Sequence, residues 1–549
     1  MAYRASGSPP VHRLTRTQTA LAWIRRYWPV VAYWLLGSAL VIWIGREAFS
    51  TRLITQLQGS DYWEHSAALR ALIEAPLHPG NPHLVSDTLS PRYNPVYILI
   101  ALVTRALGED ALYAMSLASC VNMTLYVAGG YWFFASYFRD RRAPLYALFV
   151  LFASWWTGWH FSNVYQLQTL PSVAGYPSTT TLALTWLCFA LVTSIVRSGA
   201  STWRLALLSL LSATVLLVHP LTAVLTFCGM TGLAVFEPGA SRRVRVYVVL
   251  ALLVSALLAH LWPYYSAFKV MSGGSHGRTA GWAEKAARDL MDDAPAPTRH
   301  ALFYNTRKLV GAVGLAAPGL VCALLLLWRR KHLFIPLGLS CMLGVFAANA
   351  FVPLPLGHRF VLLAMVFLHL ATVWGCLRIS PGYHDASPLL RWRAVRWLAV
   401  VILIGAFTLG AVRNVGLAVN RVDEARGISQ VVNYSRQVSK AAGEHGVVLG
   451  AARDAWPIPT FGPKVVSLLH MNPLVQDGLQ REDDVTTFFG RRTSPEARDA
   501  ILAKYSVTHV LSRNEPKALR TYLEARASAR RIAMGYRLYT LKGASDAAQ

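Results

Sequence analysis

Long apolar segments separated by short basic ones are the feature that most restricts what this chain can fold into. Hydrophobic residues fill 54% of its 549 positions, charged residues only 15%, and there are 18 tryptophans. A soluble fold cannot bury so much apolar surface, whereas a bilayer accommodates it in helices of about 20 residues. We therefore expect a polytopic α-helical membrane protein and exclude a string of soluble domains.

Eleven segments are candidate transmembrane helices. The first follows a basic tail, residues 1–27, and lacks a small-residue cleavage pattern, which indicates an uncleaved anchor rather than a signal peptide. The segment 143–158 is the weakest, and 205–219 with 221–236 can also be read as one kinked hairpin. In chain order the segments are 28–45, 112–138, 143–158, 177–196, 205–219, 221–236, 246–264, 309–328, 333–352, 359–377 and 397–416.

The basic residues follow these segments rather than forming a nucleic-acid surface. The formal net charge is +26, from 53 Lys and Arg against 27 Asp and Glu. Arginines cluster in alternate loops, whereas the short loops 159–176 and 353–357 carry no Lys or Arg. The positive-inside rule then puts the N-terminus in the cytoplasm, and an odd number of spans puts the C-terminus outside. This predicts a multi-pass membrane protein with no nucleic-acid partner.

Three long regions fall on the predicted outer side. Loop 46–111 contains the apolar stretch Tyr97–Leu107, which is too short to span and is predicted to be an interfacial helix. Loop 265–308, rich in Gly, Asp and Pro, is predicted to be a lid. The tail 420–549 alternates strand-like and helical segments, which predicts an α/β domain after a transmembrane module at 28–419. Its predicted strands are Gly446–Ala452, Lys464–Leu469, Val507–Arg513 and Arg531–Leu541, and its predicted helices are 426–442, 495–505 and 516–528.

Acidic residues open the first outer loop. Asp61, Glu64 and His65 have the i, i+3, i+4 spacing that puts side chains on one face of a helix. A carboxylate beside an apolar interface can have a raised pKa and accept a proton near neutral pH. The same residues can equally be solvated helix caps. His83 and Asp87 follow in a proline-broken stretch of the loop.

Cationic and aromatic residues lie at the other outer ends of the predicted spans. Arg359, preceded by His358, heads an apolar helix, where a guanidinium either binds a phosphate or carboxylate or reaches the lipid headgroups. His219 and His260 are substrate-lining candidates or ordinary interfacial histidines. The uncharged polar loop before the fourth span either lines a sugar site or belongs to an aromatic belt. Its candidates are His160, Tyr165, Gln166 and Tyr176.

Several short motifs, together with this layout, carry a family resemblance. They are Gly59-Ser60-Asp61-Tyr62-Trp63, Pro91-Arg92-Tyr93-Asn94-Pro95, Tyr176-Pro177-Ser178, Gly357-His358-Arg359-Phe360 and the tail segment 501–511. With these motifs the chain resembles the GT-C superfamily of integral-membrane glycosyltransferases, and in particular the bacterial arabinosyl and aminoarabinose transferases.

The resemblance implies an inverting transferase of a bacterial cytoplasmic membrane, which uses a polyprenyl-phosphate sugar outside the cytoplasm. The acceptor would be an envelope polysaccharide, a glycolipid or a protein. The family's first-loop base maps onto Asp61, and Asp87, by its position, is favoured over Glu64 as a second acid. Arg359 is assigned to the donor phosphate, with Arg92 and His358 as second choices. Because no Asp-x-Asp or Trp-Trp-Asp signature of the metal-dependent oligosaccharyltransferases occurs, we expect no metal and no other cofactor.

Other function classes stay open at this point. A ligase or polymerase acting on lipid-linked glycans would also need a base and arginines at the outer face. A transporter or flippase for lipid-linked saccharides would place ionisable residues near the membrane midplane instead. A non-catalytic envelope scaffold would bind through its α/β tail and would not need Asp61. In that tail, His470 and Arg481 either shape a rim above the site or hold the domain together.

Overall fold

The structure is a computed structural model that describes residues 16–51, 60–156, 165–271, 313–348, 357–380, 393–426, 429–470, 472 and 474–543. Most of the predicted lid 265–308 lies outside these ranges. The helices of the membrane part and its loops are α1 (Arg16–Thr51), α2 (Asp61–Glu74), α3 (Pro95–Ala106), α4 (Ala111–Phe138), α5 (Ala143–Ala153), α6 (Leu170–Val173), α7 (Pro177–Ser198), α8 (Thr202–Val218), α9 (Pro220–Phe236), α10 (Arg242–His260), α11 (Ala267–Met271), α12 (Pro318–Trp328), α13 (Phe334–Ala348), α14 (Phe360–Ile379) and α15 (Arg393–Arg426).

Six helices in the described ranges are long and apolar enough to cross a membrane. They are α1 over Arg26–Ser50, α4, α7, α10, α14 and α15 over Trp397–Asn420. Apolar helices also occupy the other five predicted segments, but α5, α8, α9, α12 and α13 have only 11 to 17 residues. One cause of these short lengths lies at His219, because Pro220 cannot continue α8 and begins α9 instead. The count of eleven crossings therefore stays a prediction.

The transmembrane core is built around α7 and α14, whose side chains are almost all buried. Aromatic rings fill the space between α4 and α7, and Phe133 stacks on Trp186 with ring centroids 5.6 Å apart. Gly129 lets the two helices approach, because a Cβ there would lie 3.1 Å from the carbonyl oxygen of Ala183. In contrast, α10 and α15 expose leucines and valines along most of their length, as lipid-facing helices do.

The predicted interfacial segment is a helix, α3. Its start is fixed by Pro95 at the first helical position and by the Asn94 side chain, which accepts hydrogen bonds from the backbone N–H groups of Val96 (3.1 Å) and Tyr97 (3.0 Å). One side of the helix is buried against the protein. The other exposes large apolar side chains, those of Leu99, Leu102 and Val103. A location of α3 in the membrane interface stays a prediction.

The C-terminal part is a five-stranded mixed sheet with helices packed on it. Strand order is β2-β1-β3-β5-β4, with β1 parallel to β2 and β3, and β5 antiparallel to β3 and β4. The strands are β1 (Val447–Leu449), β2 (Lys464–Val465), β3 (His509–Ser512), β4 (Ala527–Arg531) and β5 (Arg537–Leu541). The helices are α16 (Ser429–Ala442), α17 (Ala452–Ala455), α18 (Gly478–Phe489), α19 (Pro495–Lys504) and α20 (Lys517–Arg526).

Several sequence predictions for this region were wrong in detail. The strands predicted at Gly446–Ala452 and Lys464–Leu469 are shorter, Val447–Leu449 and Lys464–Val465. The predicted strand Arg531–Leu541 is interrupted, because Met534 (φ 61°) and Gly535 (φ 75°) adopt left-handed backbone conformations and turn the chain. The result is a hairpin of β4 and β5. The predicted helix 516–528 ends at Arg526, because the chain from Ala527 onward pairs with β5. The helix α18 was not predicted.

The first outer loop and the C-terminal sheet share one hydrophobic core. Trp63 of α2 and Trp456 of the C-terminal part are both buried in it. Hydrogen bonds also join the two regions: Val465 N–H donates to the carbonyl oxygen of His83 (2.7 Å), and the Lys464 ammonium donates to that of Asn81 (2.6 Å). The C-terminal part is therefore seated directly on the loop that carries Asp61.

Candidate functional site

The site begins at the N-terminus of α2. Ser60 caps the helix, and its hydroxyl oxygen accepts a hydrogen bond from Tyr62 N–H at 3.1 Å. Asp61, Glu64 and His65 all fall in the first turns of α2, so the helical spacing predicted from sequence is present. Glu64 and His65 are buried, whereas the Asp61 side chain is 39% exposed. Of the three, Asp61 is the side chain that a substrate can reach.

Glu64 holds a guanidinium. Arg92 Nε donates to Glu64 Oε1 at 2.9 Å and its terminal nitrogen donates to Oε2 at 3.0 Å, a bidentate pair. Burial opposes the charged form of Arg92, but the Glu64 carboxylate outweighs this effect and Asp61 adds to it, so the pKa of Arg92 is raised. Both carboxylate oxygens of Glu64 are thus engaged by Arg92.

Arg359 supplies a second cation, at the end of a 3₁₀ turn (Gly357–Arg359) just before α14. Burial lowers the pKa of its guanidinium, and the negative charge of Asp61 works in the opposite direction. A guanidinium stays charged under all physiological conditions. Two permanent positive charges, Arg92 and Arg359, therefore act on the same carboxylate. The side chain of His358 and all of His160 lie outside the described residues.

The buried histidines add polarity but no charge. His65 packs edge-on against Tyr176, with ring centroids 4.9 Å apart, and against Tyr97 at 5.8 Å. Burial lowers the pKa of His65 well below its usual value, and nearby cationic groups including Arg92 lower it further. Burial also lowers the pKa of His83 to about 3. His219 is tied locally, with its Nδ1 2.9 Å from the hydroxyl of Thr222.

The C-terminal part closes the site from the other side. His470 Nε2 lies 3.3 Å from Asp61 Oδ1. Trp456 stacks on His83, with ring centroids 4.8 Å apart at 14°, and donates its indole N–H to the carbonyl oxygen of Ser60 at 3.0 Å. The sequence indicated His470 only as one of several rim residues. Nothing local in the sequence pairs it with Asp61.

Two other predicted site residues, Tyr165 and Gln166, lie elsewhere. Tyr165 belongs to the transmembrane core, where its hydroxyl is 2.7 Å from His369 Nδ1, and Gln166 is buried nearby and accepts a hydrogen bond from Gln168 at 2.6 Å. His260 is exposed at the end of α10, beside Phe268. Asp87 is exposed in the irregular stretch before α3. Of the predicted lining residues, the structure groups His65, His83, Tyr176 and His219 around α2.

Within the described ranges, no group of three or more His, Cys, Asp or Glu side chains is arranged to hold a metal ion. The expectation that the protein needs no metal stays a prediction for experiment.

Comparison with known proteins gives fold relatives. No family model and no curated protein matches the sequence. The Archaeoglobus fulgidus oligosaccharyltransferase tethered to an acceptor peptide with the NVT sequon matches with a TM-score of 0.52 and 13% identity, over 95% of this chain and 75% of that one. Its apo form matches with a TM-score of 0.51 and 14% identity, over 90% and 70%. The mycobacterial arabinofuranosyltransferase AftD matches with a TM-score of 0.51 and 14% identity, over 92% of this chain but 40% of that one. At such identities the likeness concerns the fold.

Proposed function

Since this chain has the GT-C fold, the fold of the oligosaccharyltransferase and the arabinofuranosyltransferase it matches, we propose that it is an inverting membrane glycosyltransferase. It moves a sugar from a polyprenyl-phosphate donor to an envelope polysaccharide, a glycolipid or a protein. The reaction takes place at the outer face of a bacterial cytoplasmic membrane, with the N-terminus in the cytoplasm and the α/β domain outside.

The surroundings of Asp61 carry the proposal. Its carboxylate is part-exposed at the start of α2, whereas the neighbouring Glu64 is buried and bound to Arg92. Arg92 and Arg359 both act on Asp61 electrostatically. A reachable base beside fixed positive charge is what a transfer from a phosphate donor needs, since one group takes a proton while another stabilises the departing phosphate.

The proposed step follows from these positions. Asp61 takes the proton of the acceptor hydroxyl, and the acceptor oxygen attacks the anomeric carbon from the face opposite the phosphate. The bond from the anomeric carbon to the phosphate oxygen breaks, and its electron pair leaves on the polyprenyl phosphate. Arg359 stabilises that charge through charge-assisted hydrogen bonds. Attack from the opposite face inverts the anomeric centre.

Arg92, Glu64 and Asp87 have different roles in this proposal. Because Glu64 already occupies Arg92 with two hydrogen bonds, we assign the pair to the electrostatics of the site and the donor phosphate to Arg359. Asp87 remains the proposed second acid, as an exposed carboxylate in the same loop.

The direct test is a transfer assay with the purified protein and a panel of radiolabelled polyprenyl-phosphate sugars. We expect one sugar of the panel to be transferred, with release of polyprenyl phosphate. Binding of lipid-linked glycan without transfer or hydrolysis of any donor would favour the ligase, polymerase or transporter alternatives.

Arg359→Lys is expected to weaken donor binding while keeping the charge. Lysine cannot form the bidentate contact of a guanidinium with phosphate. Hydrogen bonds to charged groups contribute about 1.5–3 kcal/mol, so the Kd for the donor should rise about 10- to 100-fold. Binding of a fluorescent polyprenyl phosphate measures this, with Arg530→Lys on the exposed part of β4 as the matched control. A wild-type Kd would remove Arg359 from the donor site.

Chelation is expected to leave turnover unchanged. EDTA followed by gel filtration should give the same kcat as the untreated enzyme, since arginines rather than a metal hold the phosphate in this proposal. A complete loss that Mg²⁺ or Mn²⁺ restores would contradict the metal-free mechanism.

A further inference from the structure

The proposed base has a partner from the far end of the chain. His470 lies between β2 and α18, and its Nε2 is 3.3 Å from Asp61 Oδ1. Each of the two side chains is 39% exposed, so both are accessible to solvent. At that distance an imidazole N–H can donate to the carboxylate, as a neutral tautomer or as imidazolium.

One buried tryptophan fixes both members of this pair. Trp456 is packed edge-on against His470, with ring centroids 5.2 Å apart at 90°. Its indole N–H holds the carbonyl oxygen of Ser60, the cap residue that precedes Asp61. The Trp456 ring is also stacked on that of His83. The position of His470 relative to Asp61 is therefore set by a common support.

Further contacts keep the two parts of the chain together at this point. The hydroxyls of Ser66 on α2 and Thr460 are 2.7 Å apart. The hydrogen bonds of Val465 and Lys464 to the first outer loop come from β2, an edge strand of the C-terminal sheet. These hydrogen bonds hold the C-terminal part against the first outer loop, and His470 is thereby kept next to the start of α2.

We propose that His470 is a positioning residue for Asp61, so that the C-terminal domain completes the transferase site. This rests on the proposed function. His470 Nε2–H holds Oδ1 of the carboxylate, which leaves Oδ2 directed at the acceptor hydroxyl. A part-exposed Asp at a helix N-terminus otherwise samples several rotamers. A base oriented by a third group is a common arrangement in enzymes that activate a hydroxyl.

Substitutions at His470 in the full-length protein test this. His470→Leu removes the donor at similar size and should lower kcat about tenfold or more, with the KM for the donor within twofold of wild type. His470→Gln, whose amide N–H can replace Nε2–H, should recover most of kcat. His445→Leu is the matched control, because His445 is exposed in the same domain. Melting temperatures should stay equal for all variants.

The outcomes separate this inference from the proposed function when wild type and Asp61→Asn are assayed alongside. If wild type transfers sugar and Asp61→Asn does not, but His470→Leu stays within twofold of wild type, only the role of His470 is overturned. Equal losses in His470→Gln and His470→Leu, or a lower melting temperature in both, would also overturn it. If wild type transfers no sugar from any donor, the proposed function fails and the role of His470 fails with it.

Discussion

Asp61→Asn is expected to lower kcat for sugar transfer by about 10²- to 10⁴-fold, the usual contribution of a general base. Asparagine keeps the size of the side chain and its hydrogen bonding but cannot accept a proton at neutral pH. The Asp61 side chain is part-exposed at the start of α2, so the change should disturb packing little. Single-turnover assays with the radiolabelled donor measure the loss, and equilibrium binding of that donor should persist.

Asp483→Asn is the matched control, because Asp483 is exposed on α18 in the C-terminal domain. It should transfer sugar at the wild-type rate. Turnover by Asp61→Asn equal to that of this control would remove Asp61 as the base, and a non-catalytic scaffold would become the better reading.

Glu64→Gln is expected to lower the free energy of unfolding by about 2–3 kcal/mol, because the Arg92 guanidinium would lose its carboxylate partner. Removing one member of a fully buried pair costs about 3–5 kcal/mol. The smaller figure applies because the Arg92 side chain is 29% exposed and water screens it in part. Tryptophan fluorescence during denaturation in mixed micelles measures the change.

Two further variants sharpen this result. Glu444→Gln, at an exposed position of the C-terminal domain, should leave stability unchanged. Replacing both partners, Glu64→Leu with Arg92→Met, should recover much of the loss, because no buried charge is then left unpaired. Wild-type stability of Glu64→Gln combined with a loss of turnover would instead make Glu64 the second catalytic acid.

Local chemistry in the sequence determined the elements of this protein. An apolar helix overlaps each of the eleven segments that hydropathy predicted, because apolar length is a property of consecutive residues. Caps fixed helix starts in the same way: Ser60 before α2, Asn94 before α3 and Ser494 before α19. The spacing of Asp61, Glu64 and His65 on one helix was equally readable, since helical periodicity is local.

Only the tertiary structure decided which of these residues work together. It joined Glu64 to Arg92 across a loop and His470 to Asp61 across most of the chain. It also took Tyr165 into the transmembrane core against His369 and turned the chain between β4 and β5. Such contacts depend on how distant elements pack, and the local periodicity of a sequence does not predict that packing. The sequence alone was therefore enough to name the proposed base, Asp61, but not the residues that contact it.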